Sequence, residues 1–327
     1  VSTSVTAPGE KRTLGFRKVD KKATPPGVKK RNGRGPSNSE RRNLTGWAFL
    51  LPAAFLILVM NFYPMFKAFI LSLQTGRGSN MSFAEPLWYN YRRLLDDEIF
   101  MMTLKNTFLY LIIQVPIMLV LALVLANILN KRDLKFKAFW RTAIFLPCAV
   151  SLVSYSLVFR TLFAKDGFIN DILEKIGILD DPVNWLGQGN TARFVIILGL
   201  IWRWTGYNMI FYLAALQNIE YSSIEAAKID GANSFQTFWY VTVPQLKPMI
   251  LLTAIMSTNG TLQLFDESWN LTQGGPAHQS MTMSHYLYEV SFQKNPNFGY
   301  AAALSYVILI LVAVLALFQM KVGDKRD

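Results

Sequence analysis

The chain has 327 residues, 52% of them hydrophobic, one cysteine and a formal net charge of +12. A lone cysteine, Cys148, excludes an intrachain disulfide framework and says nothing of redox compartment. The basic excess does not argue for nucleic acid: residues 1–45 carry twelve Lys or Arg against three Asp or Glu just ahead of an apolar run, a placement that suits anionic lipid and topology setting.

Residues 1–45 contain several Pro and Gly and no sustained apolar run. Such a segment buries too little apolar surface to offset its ordering entropy, so a disordered cytoplasmic tail is expected. Six runs follow that are long enough to cross a bilayer, which takes about 20 mostly apolar residues. They are Trp47–Leu71, Thr107–Leu129, Ala143–Phe163, Phe194–Leu216, Met249–Phe265 and Tyr300–Met320, the fifth being the weakest by hydropathy. The first starts too late and runs too long for a cleaved signal sequence. The predicted architecture is all-α: a polytopic membrane domain over 46–321 with six transmembrane helices, and a short cytoplasmic tail over 322–327.

Orientation follows from the asymmetry of Lys and Arg. The basic N-terminal tail belongs in the cytoplasm, as does Asn130–Arg141, with five basic residues and one acidic. Ala164–Thr191 has two basic residues and five acidic and belongs outside. Six crossings then return the C-terminus, with Lys321, Lys325 and Arg326, to the cytoplasm. The exception is Asn218–Met249, placed inside by topology with two basic residues and three acidic. A cytoplasmic loop lacking the usual basic excess is easier to understand if a partner protein covers it.

That loop carries the most specific pattern in the chain. Ser222 and Glu225 stand in S-x-x-E spacing, which predicts a capping box at the start of a short helix. Gly231 falls where the helix should stop, since glycine turns left-handed without steric penalty. Asn233 or Ser234 is expected to cap a second helix, limited by Pro244 and Pro248. Glu225-Ala226-Ala227, Gly231 six positions after the Glu, and Val241-x-Val243-Pro244 resemble the EAA loop of ABC importer permeases, with Val241 and Val243 where that family usually has Ile and Leu. Leu104-x-Asn106-Thr107, Arg141-x-x-Ile144-Phe145-Leu146-Pro147, Gly167-x-Ile169-Asn170 and Leu271-Thr272-x-Gly274-Gly275-Pro276 extend the resemblance over about residues 46–321. They narrow it to carbohydrate-importer permeases of the maltose, lactose and glycerol-phosphate group, in the short six-span form.

The resemblance implies the type I importer permease fold in a bacterial inner membrane, paired with a second homologous permease. Two ATPase subunits would grip a coupling helix carrying Glu225, Ala226, Ala227, Asp230 and Gly231. An extracytoplasmic solute-binding protein would deliver a sugar or oligosaccharide. No phosphate-cradling G-x-x-x-x-G-K-[ST] sequence occurs, and no paired-carboxylate or Ser/His/Asp arrangement suggests catalysis. The chain is therefore expected to be noncatalytic and without a cofactor, with ATP and Mg on the partner subunits. His278 and His285 have no third ligand candidate, so no metal site is expected.

Polar groups inside spans are costly and usually face a cavity or another helix. Two spans concentrate them. Trp202-Arg203-Trp204-Thr205-Gly206-Tyr207-Asn208 puts two indoles, a phenol and an amide near mid-membrane, with Trp202, Thr205, Gly206 and Met209 on one helical face. In the fifth span Ser257, Thr261 and Leu264 line one face, and Asn259, Gln263 and Asp266 another. Hydroxyls, amides and a carboxylate beside aromatic rings suit a sugar, although the same residue types also join helices to one another. The resemblance implies sugar contact at Trp202, Thr205, Gly206, Met209, Ser257, Thr261 and Asp266; Tyr207, Asn259 and Gln263 join them as pathway candidates. Arg203 is expected to pair with Asp266 or Glu267. Those three residues are also what an ion-coupled secondary transporter would use, the rival reading beside a membrane scaffold with no solute path.

Overall fold

The computed structural model describes residues 38–77, 80–131, 133–293 and 295–323. Helices are α1 (Asn38–Ile57), α2 (Tyr63–Ser72), α3 (Tyr89–Asp96), α4 (Glu98–Asn130), α5 (Lys137–Ala149), α6 (Leu152–Leu162) and α7 (Phe168–Lys175). They continue as α8 (Gly189–Leu216), α9 (Tyr221–Ile229), α10 (Ser234–Gln236), α11 (Val243–Leu262), α12 (Met283–Phe292) and α13 (Phe298–Gly323). The all-α expectation omits one small element, an antiparallel hairpin of β1 (Gln74–Arg77) and β2 (Asn80–Phe83), in which Gln74 pairs with Phe83 and Arg77 with Asn80.

Two compact units divide the chain, Val1–Leu58 and Val59–Asp327. In the first, α1 begins at Asn38, so residues 38–45 are helical where a structureless tail was expected. Extending an existing helix backwards costs little once its nucleus is formed. The rest of the predicted tail lies outside the described residues. Trp47, Phe49, Leu50 and Leu51 on α1 are exposed, which suits a helix solvated by lipid, whose backbone polar groups are satisfied within the segment.

In the second unit, α4 lies along α8, α5 packs on α8, and α11 contacts α4, α8 and α13. One apolar cluster joins Ala122, Ala126 and Leu129 of α4 to Met209, Tyr212 and Leu216 of α8 and Leu246 of α11. Buried alanines on α4 let the rods approach closely, as membrane helix contacts require.

Four helical stretches among the described residues are long and apolar enough to cross a bilayer: Thr45–Ser72, Glu98–Asn130, Gly189–Leu216 and Phe298–Gly323. The third expected span is not one rod, because α5 and α6 meet at 95°. Val150 and Ser151 are extended, with ψ of 142° and 136°, and Pro147 withholds a ladder hydrogen bond just before them. The fifth expected span, α11, is 20 residues long yet too polar to be counted with the four. By length and apolarity, four such helices stand among the described residues, or five with the bent pair taken as one, against the six spans expected. Pro248 does not limit the helix as expected. It lies inside α11, while Pro244 occupies the first turn, where a missing N–H is harmless.

Two of the sequence motifs meet in space. Asn106 of α4 donates from Nδ2 to the Met281 carbonyl at 2.9 Å, and the Met283 amide donates to Thr107 Oγ1 at 3.2 Å. Tyr110 donates to the Ser280 carbonyl at 3.0 Å. The Leu104-x-Asn106-Thr107 segment therefore holds the loop that follows Gly274-Gly275-Pro276. Asn170 serves the same purpose between α7 and α8: its Nδ2 donates to the Val183 carbonyl at 2.8 Å, and its Oδ1 accepts from Trp185 Nε1 at 2.8 Å.

Asp97 caps α4 by accepting from the amides of Ile99 at 2.9 Å and Phe100 at 3.2 Å. Its other oxygen accepts from the hydroxyls of Tyr286 on α12, at 2.6 Å, and Tyr300 on α13. Burial pushes this carboxyl up, but the two phenols and two amides outweigh it and hold it below its ordinary value of 3.8. A depressed carboxyl stabilises the folded state above its unfolded pKa and loses that contribution as pH falls through the folded value. The thermal midpoint of the solubilised protein should therefore fall on acidification below about pH 4. Asp97→Asn should flatten that part of the profile; an unchanged acid limb would refute the assignment.

Candidate functional site

A cavity of about 310 Å³ opens where α4, α8 and α11 converge. From α8 it takes Leu200, Trp204, Tyr207 and Asn208, from α4 Gln114 and Met118, and from α11 Met256, Ser257, Gly260 and Thr261. The turn after α11 adds Gln263, Leu264, Phe265, Asp266 and Glu267. Leu200, Trp204, Tyr207 and Asn208 fall at i, i+4, i+7 and i+8, one face of a helix.

Short polar contacts fix the walls. Thr261 Oγ1 donates to Gln114 Oε1 at 3.1 Å, tying α11 to α4. Ser257 Oγ donates to Asn208 Oδ1 at 3.5 Å, and Asn208 Nδ2 donates to the Trp204 carbonyl at 3.0 Å. The rings of Trp204 and Tyr207 stand edge to face, centroids 5.8 Å apart. Gln263 donates to the Asn259 side chain. Glu267 is 2% exposed, and its Oε1 has no hydrogen-bond partner.

Of the residues predicted for the pathway, Tyr207, Ser257, Thr261, Gln263 and Asp266 line this cavity; Trp202, Thr205, Gly206, Met209 and Asn259 do not. The face of α8 chosen from the sequence turns elsewhere. Met209 is buried in the α4–α8–α11 cluster, and Gly206 abuts the backbone of α5 at Ile144 and Phe145. Thr205 donates to the Ile201 carbonyl of its own helix at 2.6 Å. Trp202 stacks on Tyr155 of α6 at 5.9 Å and is half exposed. Trp204, Asn208, Gln114 and Glu267 enter in their place. Trp204 and Asn208 belong to the same aromatic cluster and were separable from it only by the helical period counted from Leu200.

Arg203 forms no ion pair with Asp266 or Glu267, contrary to expectation. Its Nη1 donates to the Val150 carbonyl at 3.0 Å, and the guanidinium lies over the rings of Tyr155 and Trp204 at 5.3 and 5.7 Å. The break between α5 and α6 frees a carbonyl that a bilayer interior leaves without water. The arginine supplies the donor.

The second candidate site is the turn between α8 and α11. Helix α9 starts at Tyr221 with Glu220 as its cap residue and no capping side chain, so the predicted Ser222–Glu225 box does not form. Starting that early puts Ser222 inside the first turn, where its hydroxyl donates to Glu220 Oε2 at 3.4 Å. The other end is built as expected. Gly231 has φ of +85°, the Gly231 amide donates to the Lys228 carbonyl at 3.1 Å, and the Ala232 amide donates to the Ala227 carbonyl at 2.9 Å. Those two bonds are the paired closure of a Schellman motif. Asn233 caps α10 reciprocally with Gln236, both bonds at 2.9 Å. Glu225, Ala226, Asp230 and Gly231 are exposed, and Ala227 is half-buried. Ile229 and Phe235, 86% and 70% exposed, flank the turn with apolar surface, as protein-binding patches do.

His285 is buried, with Nδ1 2.8 Å from Ser268 Oγ and its ring edge-on to Trp269 at 5.1 Å. It packs the loop after α11.

Comparison with known proteins places the chain. It is 48% identical over 286 residues to the lactose transport system permease protein LacF of Rhizobium radiobacter, covering 87% of this chain and 95% of that one. It is 34% identical over 277 residues to the arabinooligosaccharides transport system permease protein AraP of Halalkalibacterium halodurans, covering 84% and 86%. The fold matches the crystal structure of a bacterial ABC transporter involved in the import of the acidic polysaccharide alginate, with a TM-score of 0.74 at 24% identity over 86% of this chain and 96% of that one. Residues 104–322 match the model of the binding-protein-dependent transport system inner membrane component. The chain belongs to that family: it is an inner-membrane permease subunit of an ABC importer and not an enzyme, with ATP hydrolysis on a separate subunit.

Proposed function

We propose that the α4–α8–α11 cavity is this subunit's share of a path for a sugar or oligosaccharide, completed by a second, homologous permease. The observation that carries this reading is the composition of the wall. Trp204 and Tyr207 offer ring surface to the C–H face of a pyranose, while Asn208, Gln114, Ser257 and Thr261 offer fixed donors and acceptors to its hydroxyls. Relatives named for lactose and arabinooligosaccharide transport support the same solute class.

Drive comes from two ATPase subunits, which bind ATP and Mg and grip α9 at Glu225, Ala226, Ala227, Asp230 and Gly231. Glu225 accepts a charge-assisted hydrogen bond from an Arg or Lys of the ATPase. The small side chains of Ala226 and Ala227 let the helix enter a cleft closely. An extracytoplasmic solute-binding protein delivers the sugar, both termini lie in the cytoplasm, and closure of the ATPase pair is passed to the membrane helices as alternating access.

Uptake by the complete importer in proteoliposomes tests the cavity. Tyr207→Ala, which removes a ring and a hydroxyl from the wall, should cut sugar uptake about tenfold, the cost of roughly 1.4 kcal/mol of lost transition-state binding. ATPase subunits should remain bound. Full uptake, or loss of the ATPase, would mark Tyr207 as a packing residue.

A further inference from the structure

We propose that the cavity selects by charge, admitting saccharides without acidic groups and rejecting those that carry carboxylate, sulfate or phosphate. This rests on reading the cavity as the sugar path. The fold leaves the matter open, since a transporter of the same fold imports an acidic polysaccharide.

Two carboxyl side chains, Asp266 and Glu267, line the cavity side by side, and among the described residues no Lys, Arg or His does. Asp266 is exposed, whereas Glu267 is 2% exposed with Oε1 unpartnered. Arg203, the buried cation of α8, is 6% exposed and absent from the lining. Its Nη1 is committed to the Val150 carbonyl, and its plane lies near the rings of Tyr155 and Trp204. It is therefore held away from a solute anion.

The remaining polar walls are neutral amides and hydroxyls. A carboxylate on the solute meets like charge where field lines pass through apolar walls, and the repulsion grows as the local dielectric falls. Sugar hydroxyls meet the opposite situation, because carboxylate oxygens are strong acceptors and a pyranose presents donors in pairs. Asp266 repels a uronate, while Glu267, whose burial with Oε1 unpartnered favours the neutral carboxyl, adds hydrogen-bonding capacity for a neutral saccharide.

Quenching of tryptophan fluorescence in the purified permease–ATPase complex, without binding protein, reads the cavity directly, since Trp204 is part of its wall. The probes are lactose and the disaccharide that differs only by oxidation of the galactose C6 to a carboxylate. The native complex should bind lactose on the order of tenfold more tightly than the acidic disaccharide, like-charge contacts being among the stronger means of rejection. Asp266→Asn should narrow that gap, and raised salt should narrow it in the native complex. Asp266→Asn changes an exposed side chain and leaves the core intact. Equal binding of both sugars by the native complex, or a gap that Asp266→Asn does not move, overturns the proposal and spares the sugar path. Binding of neither sugar sinks the path itself.

Discussion

Gly231→Val is expected to leave the permease in the membrane and ATP hydrolysis running while sugar uptake drops by an order of magnitude or more. Nothing lies within 4 Å of the position a Cβ would take, so the cost is conformational and not steric. At φ of +85° an L-residue pays about 1–2 kcal/mol, and a β-branched one pays most. The turn responds by giving up the amide bonds from Gly231 and Ala232 that close α9, and the exit from the helix swings. Gly231→Asn provides the control, because asparagine tolerates the left-handed region and should retain most uptake. Sugar transported per ATP hydrolysed in proteoliposomes is the measurement. Normal coupling in the valine variant would show that this helix end transmits nothing.

Gly206→Val should abolish accumulation of folded protein. A Cβ at Gly206 would lie 2.0 Å from the Ile144 carbonyl oxygen and 2.9 Å from Phe145 Cα. These are backbone atoms of α5, unable to swing aside as a side chain does. Overpacking costs about 1–3 kcal/mol even where neighbours give way, and here α5 must part from α8. Gly260→Ala, with nothing within 4 Å of the new methyl, should leave folding untouched. Monodispersity and thermal midpoint in detergent separate the two. A Gly206→Val protein with native stability would mean that α5 and α8 are not in contact.

That contact illustrates which features were legible in the sequence. Uniform apolar runs give α4, α8 and α13 directly, and the Gly231 and Asn233 caps follow from local chemistry. The α8 face facing the cavity does not. Every residue from Trp202 to Met209 carries chemistry compatible with a lumen or with a helix contact, and only the position of α5 decides. Gly206 is small because another backbone passes it. The bend at Val150 and Ser151 is invisible to hydropathy, since extended and helical valine are equally apolar. The polarity of α11 reflects its partners: Thr253 bonds Tyr212 at 2.7 Å and Thr258 bonds Gln319 at 2.7 Å. Glu267 reads as a loop carboxylate until the turn after α11 is seen to fold it inward.

From Ser234 to Leu262 the backbone stays helical through the π-helical turn Thr237–Thr242, a strut of roughly 40 Å at 1.5 Å per residue. Pro248 stands at its midpoint and deletes a ladder bond there, while Pro244 occupies the first turn of α11. The strut is accordingly weakest near its middle, like a jointed lever. A sideways push at either end would turn the two halves about that joint, with the pivot written into the chain by proline.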